Sequence, residues 1–334
     1  WGVWAALGLA FVWQTIANWF GGGAKETSKA PQFPSRRNML LASPILAIAF
    51  IPLFANWTSA SRAGETFTRD WAHDILQSVE PYGILITGGD NDTYPLWYAQ
   101  EVEGIRQDVT VIVTTYLNMN WAVRQLIRNP IHEYDPAKGP AIYRDQMWPK
   151  PTTPPVNMTF AEADALPPYV VLSEPQVFQH GTIRTTIPPG YLVQDQMMVL
   201  RMIKDSYPGR PIYFSFRSTG VGLEDYLVAS GLAYKLMPTP VTETEDIRNI
   251  NGEMMDVPKT LDLWNNVFQG QKSLIAQKRW MDRPSISIPF RYALTGLTLA
   301  EATRQMGDTA QADRLMETVK QIAETAGITQ YLPR

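Results

Sequence analysis

The segment from Ile84 to Val113 constrains the fold more than any other. Ile84-Leu85-Ile86 is an apolar run of strand length, and Gly88-Gly89-Asp90-Asn91-Asp92-Thr93 is a polar turn. A short helix then runs through Trp97 and Tyr98, and Val109 to Val113 is a second, β-branched strand. The order strand, turn, helix, strand predicts a βαβ unit. Its turn lies at the carboxyl end of the first strand, where open α/β sheets place ligands. The spacing also predicts Asp92 or Thr93 as the helix N-cap, with Pro95 near the first turn.

Similar patterns continue the α/β layer on both sides. Trp71, Ile75, Leu76 and Val79 recur at helical spacing before Pro81-Tyr82-Gly83, and Trp121 to Ile127 reads as a helix that Pro130 ends. Residues 130–190 are rich in proline and read as a long irregular insertion with one strand at Tyr169 to Leu172. Asp195 to Tyr207 is a helix with Met198, Val199, Met202 and Ile203 on one stripe, followed by a strand within Pro211 to Phe216. Leu223 to Leu236 adds a short helix and a strand. Residues 238–258, with Pro238, Pro240 and the acids Glu243, Glu245 and Asp246, read as a linker to a helical region at 259–334. There, Phe290–Met306 and Thr309–Ala326 form a hairpin with Ala293, Leu297, Ala300, Leu315, Val319 and Ile322 facing inward. One such hairpin cannot bury its own apolar face and must pack on the α/β layer or on another protein.

The amino-terminal sixty residues differ in kind. Residues 1–20 carry no charge, nor do residues 39–57, and each stretch is long enough to cross a bilayer. Pro44 and Pro52 in the second predict kinks rather than breaks. The connection at 21–38 holds Lys25, Lys29, Arg36 and Arg37 against Glu26 alone, which the positive-inside rule assigns to the cytoplasm. Residues 58–237 then form an α/β domain on the opposite, periplasmic side of the membrane. Trp4, Trp13, Trp19 and Trp57 read as interfacial anchors, with Trp13 equally suited to face a partner helix. The basic residues follow the first apolar stretch, opposite to the order in a cleaved signal peptide. The chain opens on Trp1 with no initiator Met, which sets the expectation of upstream residues.

Composition removes several functions. The chain has 334 residues and no cysteine, so disulfides, thiolate metal sites and iron–sulfur clusters are out. A net charge of −3 without a basic stripe gives no footprint for nucleic acid. His73, His132 and His180 sit in unrelated segments without metal-ligand spacing, and no P-loop, dinucleotide fingerprint or nucleophile elbow occurs. No cofactor is expected.

Two groups of residues remain as candidates. Asp90, Asn91, Asp92 and Thr93 carry oxygens suited to a sugar hydroxyl or a hard cation, and the same residue types serve as Asx turns and N-caps with no ligand, the weightier reading. Trp148, Tyr169, Met254, Met255 and Trp280, with Met147, Met197, Met198 and Met281 beside them, lie in or near loops and are candidate interface anchors.

The stretch Ile84 to Leu126 also carries a resemblance. Its Gly-Asp-Asn-Asp-Thr turn, its Trp-Tyr-Ala-Gln-Glu-Val-Glu-Gly helix and the run Tyr116-Leu117-Asn118-Met119-Asn120-Trp121 are similar to a family of bacterial multi-span membrane proteins. That family is related to the transmembrane protein O-mannosyltransferases. The resemblance implies that this chain matches the later, non-membrane portion, which follows a bundle of membrane helices and ends in helical hairpins. The aspartate that carries catalysis in that bundle has no counterpart here, which implies a protein without catalysis of its own. The chain is also similar to a periplasmic accessory subunit of a bacterial photosynthetic reaction-centre and light-harvesting complex. That similarity implies contact with the complex's cytochrome or antenna subunits. The expectation is an α/β protein: a membrane-anchored, Rossmann-like βαβ layer with a Pro-rich insertion and a TPR-like terminal hairpin. It would serve as an accessory subunit on a larger membrane complex, the alternative being the carboxy-terminal part of a glycosyltransferase that grips a glycan or acceptor.

Overall fold

In the computed structural model, residues 2–21, 33–277, 281 and 283–331 are described. The chain divides into two units, residues 1–64 and 65–334.

The first unit is helical: α1 (Gly2–Phe20), α2 (Arg36–Ala42), a 3₁₀ stretch over Ser43–Phe50, and α3 (Ile51–Ala60). Ser35 caps α2 by accepting from the Asn38 N–H at 3.2 Å. Each proline falls in the first turn of the element it opens, where its missing N–H has no helical partner to lose, so the run changes helix type rather than breaking. Gly2–Phe20 and Arg36–Trp57 are both long and apolar enough to cross a membrane. Their large side chains, Trp4, Phe11, Trp19, Phe54 and Trp57 among them, stay exposed instead of forming a core, the pattern of a membrane-associated segment. Trp13 donates through Nε1 to the Met39 carbonyl at 2.9 Å and so faces the neighbouring helix. Most of the basic connection, residues 22–32, lies outside the described residues.

The second unit is built on a seven-stranded mixed sheet. Amphipathic α4 (Phe67–Ser78) leads into β1 (Ile84–Thr87), α5 (Asp90–Glu101), β2 (Thr110–Val113) and α6 (Asn120–Arg128). The insertion contributes α7 (Phe160–Asp164) and the strands β3 (Tyr169–Leu172), β4 (Gln176–His180), β5 (Ile183–Ile187) and β6 (Gly190–Val193). Next come α8 (Gln194–Ser206), β7 (Ile212–Phe214), β8 (Leu227–Ser230), β9 (Ala233–Leu236), β10 (Ile247–Ile250) and β11 (Glu253–Asp256). Helices α9 (Val257–Asp262), α10 (Gly270–Ala276), α11 (Ser287–Gln305) and α12 (Thr309–Ala326) close the unit. The sheet order is β10-β11-β8-β9-β7-β1-β2. β1 lies between two parallel neighbours, Ile84 opposite Thr110 of β2 on one side and Ile212 of β7 on the other. All four of its residues are buried, which is why it reads as an unbroken apolar run.

Two stretches differ from expectation. The linker at 238–258 is not a linker: β10 and β11 form a hairpin there, and β11 joins the main sheet beside β8. The turn is Asn251-Gly252, with φ of +54° and +85°, both in the left-handed region that a two-residue hairpin turn requires. The insertion is also more regular than its prolines suggest. It forms two antiparallel ribbons, β3 with β6 and β4 with β5, and sends Val156, Ala163, Ile183 and Ile187 into the core. The terminal hairpin packs as anticipated, with Ala293, Ala300, Leu315, Val319 and Ile322 buried and Leu297 half-buried. α11 rests on α9 and β10, and α12 on α10, so the hairpin covers the sheet's flank.

Candidate functional site

The polar turn sits at the carboxyl ends of β1 and β7, but it does not cap in the expected way. The N-cap is Gly89, with no side-chain bond, and Asp90 to Thr93 form the first turn of α5 with Pro95 inside the helix. Each member of the run has a separate task. Thr93 is buried, donates to the Gly89 carbonyl at 2.7 Å and meets the Thr87 hydroxyl at 2.6 Å, tying helix to strand. Asp92 accepts from the Ser215 hydroxyl at 2.9 Å, and the Asn91 amide donates to the Pro284 carbonyl at 3.0 Å. Asp90 is exposed and acts on Tyr94, one turn along the helix, rather than on a distant segment. The four do not converge, and among the described residues no three acidic or histidine side chains gather as a metal would need. Two acids in the first turn favour the helix dipole and disfavour an anionic ligand.

The geometry adds what sequence reasoning missed. Tyr94, Trp97, Tyr116 and Trp121 form a ladder of rings with successive centroids 5.7, 6.1 and 5.5 Å apart. The Tyr94 and Tyr116 hydroxyls lie 2.7 Å apart, and that bond, with burial and Asp90 behind it, pushes the Tyr94 phenol up to about 12. Tyr94 and Trp97 are three apart on α5 and so share a face, a readable signal. Their meeting with Tyr116 and Trp121, which follow β2, is set by the crossover and was not. Below the ladder runs a cleft of 310 Å³ lined by Trp97, Tyr116, Val111, Leu126 and Gln125.

The strongest electrostatics lie elsewhere and are structural. Asp74 has no exposure, and burial raises its pKa against the bonds it receives. Gln269 N–H reaches both its oxygens at 3.0 and 2.9 Å, Gly270 N–H at 2.8 Å and the Tyr292 hydroxyl at 2.6 Å. Arg106, equally buried, grips Asp108 with two bonds of 2.9 and 3.0 Å, and the Leu76 carbonyl at 3.0 Å. Lys259 lies 3.7 Å from Glu80 and 3.2 Å from the Tyr213 hydroxyl, its pKa lowered by burial. Asp74 and Arg106 are enclosed by protein, whereas the Lys259 and Glu80 side chains keep 14% and 15% of their surface in contact with solvent.

The candidate interface residues separate clearly. Met255 is buried in β11 and Met198 in α8, so both belong to the core rather than to a surface. Trp148 is half-buried, packed edge-on against Tyr143 and donating to its carbonyl at 2.9 Å, while Met254 is half-buried. Trp280 lies outside the described residues. Tyr169 is exposed and pairs edge-to-face with Tyr191 at 5.0 Å. Register places Tyr169 opposite Val193 and Val171 opposite Tyr191, so all four project from one face of the β3–β6 ribbon. That face is open to solvent, Val171 at 63% and Tyr191 at 70%. His180 turns its Nε2 to the Tyr207 carbonyl at 2.7 Å, a structural role.

No curated protein and no solved structure is significantly similar to the chain. A family model described as TMEM260-associated domain 2 matches residues 68–148 and 153–254, which together cover more than half of it. The two matched blocks contain the βαβ unit, the polar turn, the aromatic ladder, both ribbons and all of the sheet up to the first residues of β11. The chain therefore belongs to the TMEM260-associated domain 2 family.

Proposed function

We propose that the chain is a membrane-anchored accessory module, without catalysis of its own, whose second unit docks on a larger membrane-protein complex. The observation that carries this reading is the outer face of the β3–β6 ribbon. Tyr169, Val171, Tyr191 and Val193 form a contiguous apolar surface on a two-stranded element, and such patches mark interaction sites far more than they serve stability. The two apolar helices supply the anchor. The basic residues between them favour a cytoplasmic connection, with the second unit in the periplasm of a bacterial inner membrane. Within this reading the β1–α5–β2 layer is Rossmann-like and the α11–α12 hairpin TPR-like, and the partner implied by resemblance is a photosynthetic reaction-centre and antenna complex. The test is purification through this chain in mild detergent, followed by mass spectrometry of the intact assembly. Stoichiometric membrane subunits should co-purify, and V171D with Y191D should reduce them at least tenfold while leaving the melting of the chain unchanged. Recovery of the chain alone, or partner retention by the double variant, would refute the reading.

A second reading draws on the aromatic ladder. A row of tilted rings beside the exposed Asp90 carboxylate offers apolar faces and an acceptor to a sugar, in keeping with a glycan- or acceptor-binding part of a sugar transferase. Retention of a mannose-terminated oligosaccharide that W97A abolishes would favour it, and no retention by the native chain would remove it.

A further inference from the structure

β2 is the last strand of the sheet, and nothing in its sequence guards that edge. Native edge strands are blunted by lysine, proline, bulges or a cover of loop. At the opposite edge β10 carries Arg248, whereas β2 is Thr110-Val111-Ile112-Val113. Thr110 N–H donates to the Gly83 carbonyl at 2.9 Å, and the Ile112 carbonyl accepts from Thr87 Oγ1 at 3.1 Å, so the even-numbered residues face β1. By strand alternation the N–H and C=O of Val111 and the N–H of Val113 point outward. The amino-terminal end of that edge is closed, because the Val109 carbonyl accepts from the Gln100 amide at 2.7 Å.

A groove follows this edge. The 310 Å³ cleft and a second of 320 Å³ share Trp97, Glu101, Val111, Leu126 and Asn129, and so run end to end along β2 with α5 as one wall and, as the other, α6 and then the loop at Asn129 to His132. α6 flanks the strand as a crossover helix does, yet the chain turns away at Asn129-Pro130 instead of returning as the next strand. The two walls block pairing with another open sheet but admit one extended chain. Glu101 is the only acidic or basic side chain, histidine apart, lining either cavity, and it makes no ion pair among the described residues.

We propose that this groove binds an extended peptide segment of a partner, added as a further strand to β2, with its backbone bonded to Val111 and a basic side chain turned to Glu101. The source of the segment rests on the docking reading, but the site does not, and the test separates them by using the full chain alone in detergent micelles. The probes are fluorescent hexapeptides in which valine alternates with threonine and the central position is lysine, glutamate or proline. The lysine peptide should bind saturably, at least fivefold tighter than the glutamate peptide, and slow amide exchange at 109–113. V111P removes an outward donor without touching the ladder to β1 and should weaken binding at least tenfold. E101K should reverse the lysine–glutamate preference, which a merely folding-related loss would not do. Binding by none of the peptides, equal binding by V111P, or protection confined to another segment would each overturn the proposal. So would binding of the mannose-terminated oligosaccharide at Trp97 with no peptide bound. Loss of co-purifying subunits in the ribbon variants bears on the docking reading alone.

Discussion

Asp74 ties three helices of the second unit to one carboxylate. It sits on α4, and its carboxylate accepts from the backbone at the start of α10 and from Tyr292 on α11. Removing it leaves the Gly270 N–H and the Tyr292 hydroxyl buried without acceptors, each costing about 1–3 kcal/mol, and the part-buried Gln269 N–H without its partner. D74A should therefore lose about 3 kcal/mol or more, and Y292F, which deletes one bond to a charged group, about 1.5–3 kcal/mol. Denaturant titration of the full chain in detergent checks both. Equal losses would mean that the backbone donors find other partners. At this same scale the polar turn shows why site reading from sequence stops short. Asp90 to Thr93 announce themselves by type, but Asp92 is answered by Ser215 and Asn91 by Pro284, 123 and 193 positions away. No local pattern carries that information.

Among the elements, those with a local period or stop signal were readable. α4, β1, β2, α6 and α12 emerged within a residue or two of their bounds, because each combines a clean apolar stripe or run with Gly, Pro or a cap at its ends. β10 and β11 were not, since proline and acids nearby suggested a linker and only Asn251-Gly252 signalled the hairpin. In the insertion β3 was read at its bounds, but its partner β6 and the β4–β5 ribbon were not, because these strands pair outside the main sheet and β6 shows no polar face to alternate with. The α11–α12 contact yields a prediction. A Cβ on Gly296 would come 2.5 Å from Val319 Cγ2 and 2.9 Å from Trp264 Cη2, so G296A should cost about 1–3 kcal/mol by overpacking. G327A, at φ +67° with open space around it, should cost about 1–2 kcal/mol from backbone strain alone. Thermal melts give both losses. Near-ultraviolet circular dichroism separates their causes, because only the first disturbs Trp264.

For the whole molecule, the buried phenols set an alkaline limit. Tyr143, Tyr213 and Tyr292 are all held well above the usual tyrosine value of 10 by burial. A folded pKa above the unfolded one contributes stability that is complete below pH 10 and is lost as pH rises beyond it. Lys259 acts in the opposite sense, its lowered folded pKa making its own contribution improve as pH climbs toward 10.5. So does Arg210, lowered by burial to about 10. The two offset part of the loss, but the phenols raised by burial, Tyr207 and Tyr234 among them, are more numerous. Stability should fall steadily above pH 10, and chemical melts of the full chain from pH 8 to 11 that stay level would contradict this.

The carboxylate of Asp74 also bears on how much chain the second unit needs in order to fold. The family match stops at residue 254, whereas the donors to Asp74 stand at 269, 270 and 292. A fragment cut at the end of that match would keep the acid with only His73 beside it and discard the two backbone N–H groups and the phenol that satisfy it, along with the helices that cover the sheet's flank. The matched segment and the length of chain that folds as a unit are thus different, and the shorter is the one that leans on the longer.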